Sequence, residues 1–263
     1  MQKIIGFILL NLIHFVVQAQ MNGGTQFVVY NWDTSVLEKL LSGKYSGKIH
    51  LTKWKPFPGE RTLISDDGFC YSNQDTVLFY DDASGKHAVL VYSTKRVSGE
   101  IVEDCASCNV VLGMAKLDFI DEKWFLVSNN RTVNFMGQSS QLPKPRIIKI
   151  GENNFALALR EDTFQDVGIE FIYQLSENHF SELVFSYYHS NLTLNENGSI
   201  YSENNVRFIE NGTAWFGIEL ESNVFKTLDV GEVSEKSVKN FHFDELTPFI
   251  NGRLDFSQTI MQK

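Results

Sequence analysis

Cys105-Ala106-Ser107-Cys108 is the sharpest chemical feature of the chain. A C-x-x-C pair carries out thiol–disulfide exchange where it opens a helix, because the helix dipole lowers the pKa of the first thiol. Here NVVLGMAKLDF follows, which is β-branched and strand-like, so the activating helix is missing. Zinc would need a second C-x-x-C or a histidine pair, and the chain has neither. The spacing points to a structural bridge, either Cys105 with Cys108 around a tight loop or one of them with Cys70. An odd cysteine count leaves one thiol over.

Other side chains could act as nucleophile, base or acid, but only if the fold assembles them. His50, His87, His179, His189 and His242 fall at no metal-binding spacing. His87 beside Val89 and Val91, and His189 after Tyr187-Tyr188, read as strand histidines satisfied by a neighbouring backbone or carboxylate. A Ser-His-Asp triad is defined by geometry and not by order. Its local elbow, G-x-S-x-G, is absent; Gly137-Gln138-Ser139-Ser140 lacks the closing glycine and reads as a loop. Asp66-Asp67, Asp81-Asp82 and Glu161-Asp162 would suit glycoside hydrolysis only if two carboxylates faced each other across a cleft. Adjacent acids in turns point apart and keep a loop solvated. Trp32, Trp54, Trp124 and Trp215 offer stacking faces for a sugar, or fill a β core.

Asn195-x-Asn197-Gly198 echoes a calcium loop, but Thr193 and Asn204 stand where acids are needed, so a hairpin turn is expected. Sequons at Asn130, Asn191, Asn197 and Asn211 matter only in a eukaryotic secretory pathway. Nucleotide-binding glycine motifs are missing. No residue is assigned a catalytic, cofactor-binding or metal-binding role on these grounds.

The elements that must position these groups are mostly strands. One helix is expected at about 34–42, with Ser35 and Glu38 as a capping box, Val36, Leu37, Leu40 and Leu41 on one face, and Gly43 as the stop. Strands are expected at 60–65, 75–80, 86–93, 109–119, 123–128, 168–175, 179–188, 213–220, 223–230 and 238–243, with others around Ile148, Phe155–Leu159 and Val206. Turns are expected at Asp66-Asp67-Gly68, Ser84-Gly85, Asn129-Asn130, Asn197-Gly198 and Asn211-Gly212. Short strands without alternating helices predict an all-β, antiparallel β-sandwich or barrel-like fold with one short N-terminal helix. Pro143 and Pro145 stiffen a crossing between sheets.

At the front of the chain, Lys3 precedes an apolar run from Ile4 to Val17, and Val17-Gln18-Ala19 fits signal-peptidase cleavage. The run is shorter than the roughly 20 residues of a membrane span. The expected organisation is a signal peptide at 1–19 and a single β-rich exported domain at 20–263, with no membrane span, secreted or periplasmic. Without Lys3 the balance is 22 basic against 32 acidic residues, about −10, which disfavours nucleic acid and anionic membrane as partners. The function these features favour is non-catalytic binding of a ligand or protein. A hydrolase acting on sugar or ester, and a thiol role for Cys105 and Cys108, are the alternatives.

Overall fold

The computed structural model describes residues 27–105, 108–137, 140–162, 167–175, 180–194, 198–210, 216–228, 231–241 and 254–255. The N-terminal apolar run, Asn197, Asn211, Trp215, His179 and His242 lie outside the described residues.

The first half contributes β1 (Val28–Val29), α1 (Thr34–Leu41), β2 (Lys44–Ser46), β3 (Leu51–Trp54), β4 (Cys70–Asp82), β5 (Gly85–Lys95), β6 (Val97–Ser98), β7 (Ile101–Val102), β8 (Val110–Ile120) and β9 (Lys123–Met136). Seven of these strands form one antiparallel sheet in the order β1-β9-β8-β5-β4-β3-β2. Leu142–Pro145 then leads out of that sheet, as the paired prolines suggest. The second sheet is a meander of β10 (Arg146–Lys149), β11 (Phe155–Asp162), β12 (Val167–Leu175), β13 (Phe180–Leu194), β14 (Gly198–Ile209), β15 (Gly217–Leu228) and β16 (Gly231–Phe241). β17 (Leu254–Asp255) adds a short parallel pairing to β13.

The layering follows from a period of two. On β5, Val89 and Val91 point to one face, while Ala88, Leu90 and Tyr92 point to the other. The inner face packs Val89, Val91, Leu112 and Met114 against Leu157, Leu159, Phe171 and Tyr173 of the second sheet. The outer face packs Leu90, Tyr92 and Ala115 under Val36, Leu37 and Leu41 of α1. With both faces covered, β5 and β8 carry continuous apolar runs in place of an alternating pattern.

Several local expectations are corrected. The α1 cap is Asp33, whose carboxylate accepts the Ser35 backbone N–H at 2.9 Å; Glu38 instead receives the Tyr45 N–H at 2.6 Å. Ser42, left-handed at φ 52°, ends the helix. Residues 60–65 are loop, following Pro56, Pro58 and Gly59; their polar groups close loop contacts, such as Ser65 Oγ accepting Val97 N–H at 2.9 Å. Asn129-Asn130 lies inside β9, where the register shifts opposite Gly113 and the Asn130 side chain takes the Thr132 N–H at 3.1 Å. The two strands expected around 213–230 are one, β15. Leu194 faces Gly198 across the hairpin expected at Asn197-Gly198.

Among the described residues, β1 covers only the start of the outer edge of β9, pairing with Trp124 and Phe125, and the Leu126 N–H donates to the Phe27 carbonyl.

Candidate functional site

Two constellations stand at the end of the first sheet where the β4–β5 and β8–β9 hairpins turn, one on each face. On the inner face, Tyr80, His87 and Asp118 occupy one row across β4, β5 and β8. His87 is 4% exposed. Its Nδ1 lies 2.6 Å from Asp118 Oδ1 and its Nε2 lies 2.9 Å from Asp82 Oδ1. The Tyr80 ring stacks on the imidazole at 4.9 Å between centroids and meets Phe155 of β11 at 4.8 Å. Burial drives the Tyr80 hydroxyl well above the ordinary tyrosine pKa.

Ser84 belongs to the same group, 3.1 Å from His87 Nε2 through Oγ. Serine, imidazole and carboxylate are thus in contact in the order of a nucleophile, a base and an orienting acid. Asp82 breaks the sequence of proton transfers. Its Oδ1 accepts the Ser84 hydroxyl at 2.6 Å and the Ser84 backbone N–H at 2.7 Å, besides facing His87 Nε2. A general base needs a lone pair aimed at the hydroxyl. Here both imidazole nitrogens face carboxylate oxygens, and the serine proton lies toward Asp82. Burial of Asp82 favours its neutral form, but the hydrogen bonds from Ser84 and His87 outweigh that and hold its carboxyl below the ordinary value. The arrangement clamps the hairpin tip to β8.

On the outer face, Asp81, Lys86, Phe119 and Trp124 form the corresponding row. Trp124 contacts Phe119 at 4.9 Å, Phe79 at 5.5 Å and Trp32 at 5.6 Å. Trp32, from the segment between β1 and α1, also meets Phe79 edge-on at 5.8 Å. Phe79 is 55% exposed and Phe119 36%. The result is a surface cluster of four aromatic rings beyond the end of α1.

The remaining expectations separate cleanly. Cys105 and Cys108 pair with each other, Cα atoms 5.0 Å apart, in a turn closed by the Cys108 N–H to the Cys105 carbonyl at 2.9 Å. Cys70 is free and buried, and burial pushes its thiol up to about 11. Asp66 and Asp67 diverge: Asp66 takes the Ser98 hydroxyl at 3.1 Å, while Asp67 takes Lys53 at 2.7 Å and the Tyr71 hydroxyl at 2.6 Å. Asp81 and Asp82 point to opposite faces of β4, and burial raises the Glu161 pKa. Trp54 is core, its indole N–H donating to Ser72 Oγ at 2.8 Å. His50 sits in an exposed turn against the Tyr45 hydroxyl, and His189, in β13, lies in register with Gly168 of β12 and Glu203 of β14. Among the described residues, no group of three histidine, cysteine, aspartate or glutamate side chains could hold a metal ion. Also among them, no helix is long and apolar enough to cross a membrane.

One constellation has no signature in the sequence. Arg131 of β9 pairs with Glu60 at 2.8 Å and lies over the rings of Trp54 and Phe57 at 4.8 and 3.8 Å, strapping the β3–β4 loop to the outer face. Only the unusual Arg in an asparagine-rich strand hints at it. No family model, curated protein or solved structure matches this chain.

Proposed function

We propose that the chain is exported and acts as a non-catalytic binding protein, presenting the aromatic end of its first sheet to a ligand or protein partner. The surface cluster of Trp32, Phe79, Phe119 and Trp124 carries this reading. Apolar rings left in water forgo about 25 cal/mol for each Å² that burial would remove, and contiguous exposed apolar patches mark interaction sites. Export rests on the leader at 1–19, and the strongly acidic balance disfavours polyanionic partners. The test is capture from the extracellular fraction with the wild type and a Phe79→Ser/Phe119→Ser variant. A partner held by the wild type, rebound in purified form and lost by the folded variant supports the reading. Equal retention by both, or by neither, removes it.

A hydrolase acting on ester or sugar has one observation in its favour, the Ser84–His87–Asp118 chain of contacts. Turnover of nitrophenyl esters or glycosides that vanishes in Ser84→Ala would put catalysis first; the Asp82 contacts predict no turnover.

A further inference from the structure

Phe79 and Trp124 belong to strands that do not touch. β4 and β9 are separated by β5 and β8, three strand spacings or about 14 Å of backbone. Their rings nevertheless meet at 5.5 Å between centroids. Both side chains therefore lean inward over the sheet, across the small buried Ala88 that pairs with Phe79. Trp32 touches both, and Phe119 packs beside Trp124. A ring laid over the sheet turns one side to the core and the other to water, and Phe79 and Phe119 are both exposed. Polar groups border this floor toward the hairpin tip. Asp81 lies two residues beyond Phe79 on the same face of β4; the register sets it opposite Lys86, which in turn faces Phe119. Both side chains are exposed. They supply an acceptor and a donor side by side, with no net charge between them.

We propose that this end of the sheet binds a neutral glycan, a chain of uncharged pyranose rings; the proposal names the ligand class for the binding reading above and rests on it. A pyranose carries C–H groups on its faces, which suit the negative π face of an aromatic ring. Its hydroxyls lie around the edge, where they can accept from Lys86 and donate to Asp81. A ligand that is apolar on its face and polar at its rim therefore matches a floor of rings beside an acid and an amine. The core of a protein interface is instead depleted of charged residues. The acidic balance of the chain, 23 basic against 32 acidic residues, opposes glycans that carry uronate or sulfate.

Isothermal titration of the purified exported protein with cellotetraose, maltotetraose, mannotetraose and xylotetraose tests this, with tetragalacturonate as the acidic comparison. The expected result is saturable binding of at least one neutral tetrasaccharide, accompanied by a change in tryptophan fluorescence, because Trp32 and Trp124 lie in the floor. Asp81→Ala/Lys86→Ala changes only exposed side chains and should weaken binding tenfold or more. Phe79→Ser/Phe119→Ser should abolish it. No binding of any neutral tetrasaccharide, preference for tetragalacturonate, or binding unchanged in both folded variants overturns the proposal. A protein partner still lost in Phe79→Ser/Phe119→Ser would then leave the binding reading standing without the glycan. Loss of neither glycan nor partner in that variant would end both.

Discussion

Asp67 is held by a Lys53 ammonium, a Tyr71 hydroxyl and the Phe69 backbone N–H. Lys53 contributes most, and together they bring the Asp67 carboxyl down to about 2. A carboxyl with a depressed folded pKa stabilises the fold above its unfolded value, near 3.8, and loses that contribution as pH falls toward 2. Asp67→Asn should therefore lower the melting temperature at neutral pH and flatten the acid limb between about pH 4 and 2, so that the two proteins converge at the acid end; an unaltered acid limb would refute the assignment. At His87, truncation to Leu strands two carboxylates at the hairpin tip. We expect a loss of about 2–3 kcal/mol in urea unfolding, part of it discounted because Asp118 is one-third exposed. An effect below about 0.5 kcal/mol would mean the clamp is decorative. That His87 has a backbone or carboxylate partner is legible from a histidine leading into Val89 and Val91 in a strand. Its partner is not, because Asp118 stands 31 residues away and reaches it only through pairing of β5 with β8.

Elements register their constraints most sharply where a glycine is indispensable. Gly113 of β8 faces Tyr92 of β5, and a Cβ there would stand 2.1 Å from the Tyr92 ring. That ring is buried and anchored by its hydroxyl donating to Asn129 Oδ1 at 2.8 Å, so it has no free direction in which to move. Gly113→Ala should cost about 1–3 kcal/mol by overpacking, measured by chemical denaturation; a variant as stable as the wild type would show that the ring swings aside. Strands such as 86–93 and 109–119 were readable because β-branched and aromatic residues run continuously through them. Residues 60–65 and Asn129-Asn130 misled for opposite reasons. The former has strand-like composition but is bound by loop-closing side chains, whereas the latter has turn composition but lies in a long irregular strand.

At the scale of the molecule, two sheets share the inner core and α1 closes the outer face, so the all-β class expected from turn spacing is the one observed. The Cys105–Cys108 bridge spans a separation of only three residues, at the short end of loop closure. Cys105→Ser/Cys108→Ser should then lower stability by about 2 kcal/mol. Alkylation of the native, unreduced protein should label no thiol, since Cys70 is buried with its pKa pushed up to about 11; denaturation should expose one. Labelling of the native protein would mean that either the bridge or the burial is wrong.

Among the described residues, β1 leaves most of the β9 edge uncovered. A bare strand edge is a template on which any passing chain can crystallise into a fibre. Along β9, Asn130 occupies the Thr132 N–H and Asn134 occupies the Phe135 N–H, while the Asn134 amide nitrogen reaches across to the Tyr173 hydroxyl at 2.8 Å. The asparagines that make this strand resemble a turn thus leave an intruding chain fewer donors to add to. The same side chains that obscure the strand in the sequence guard its owner against becoming the seed of an aggregate.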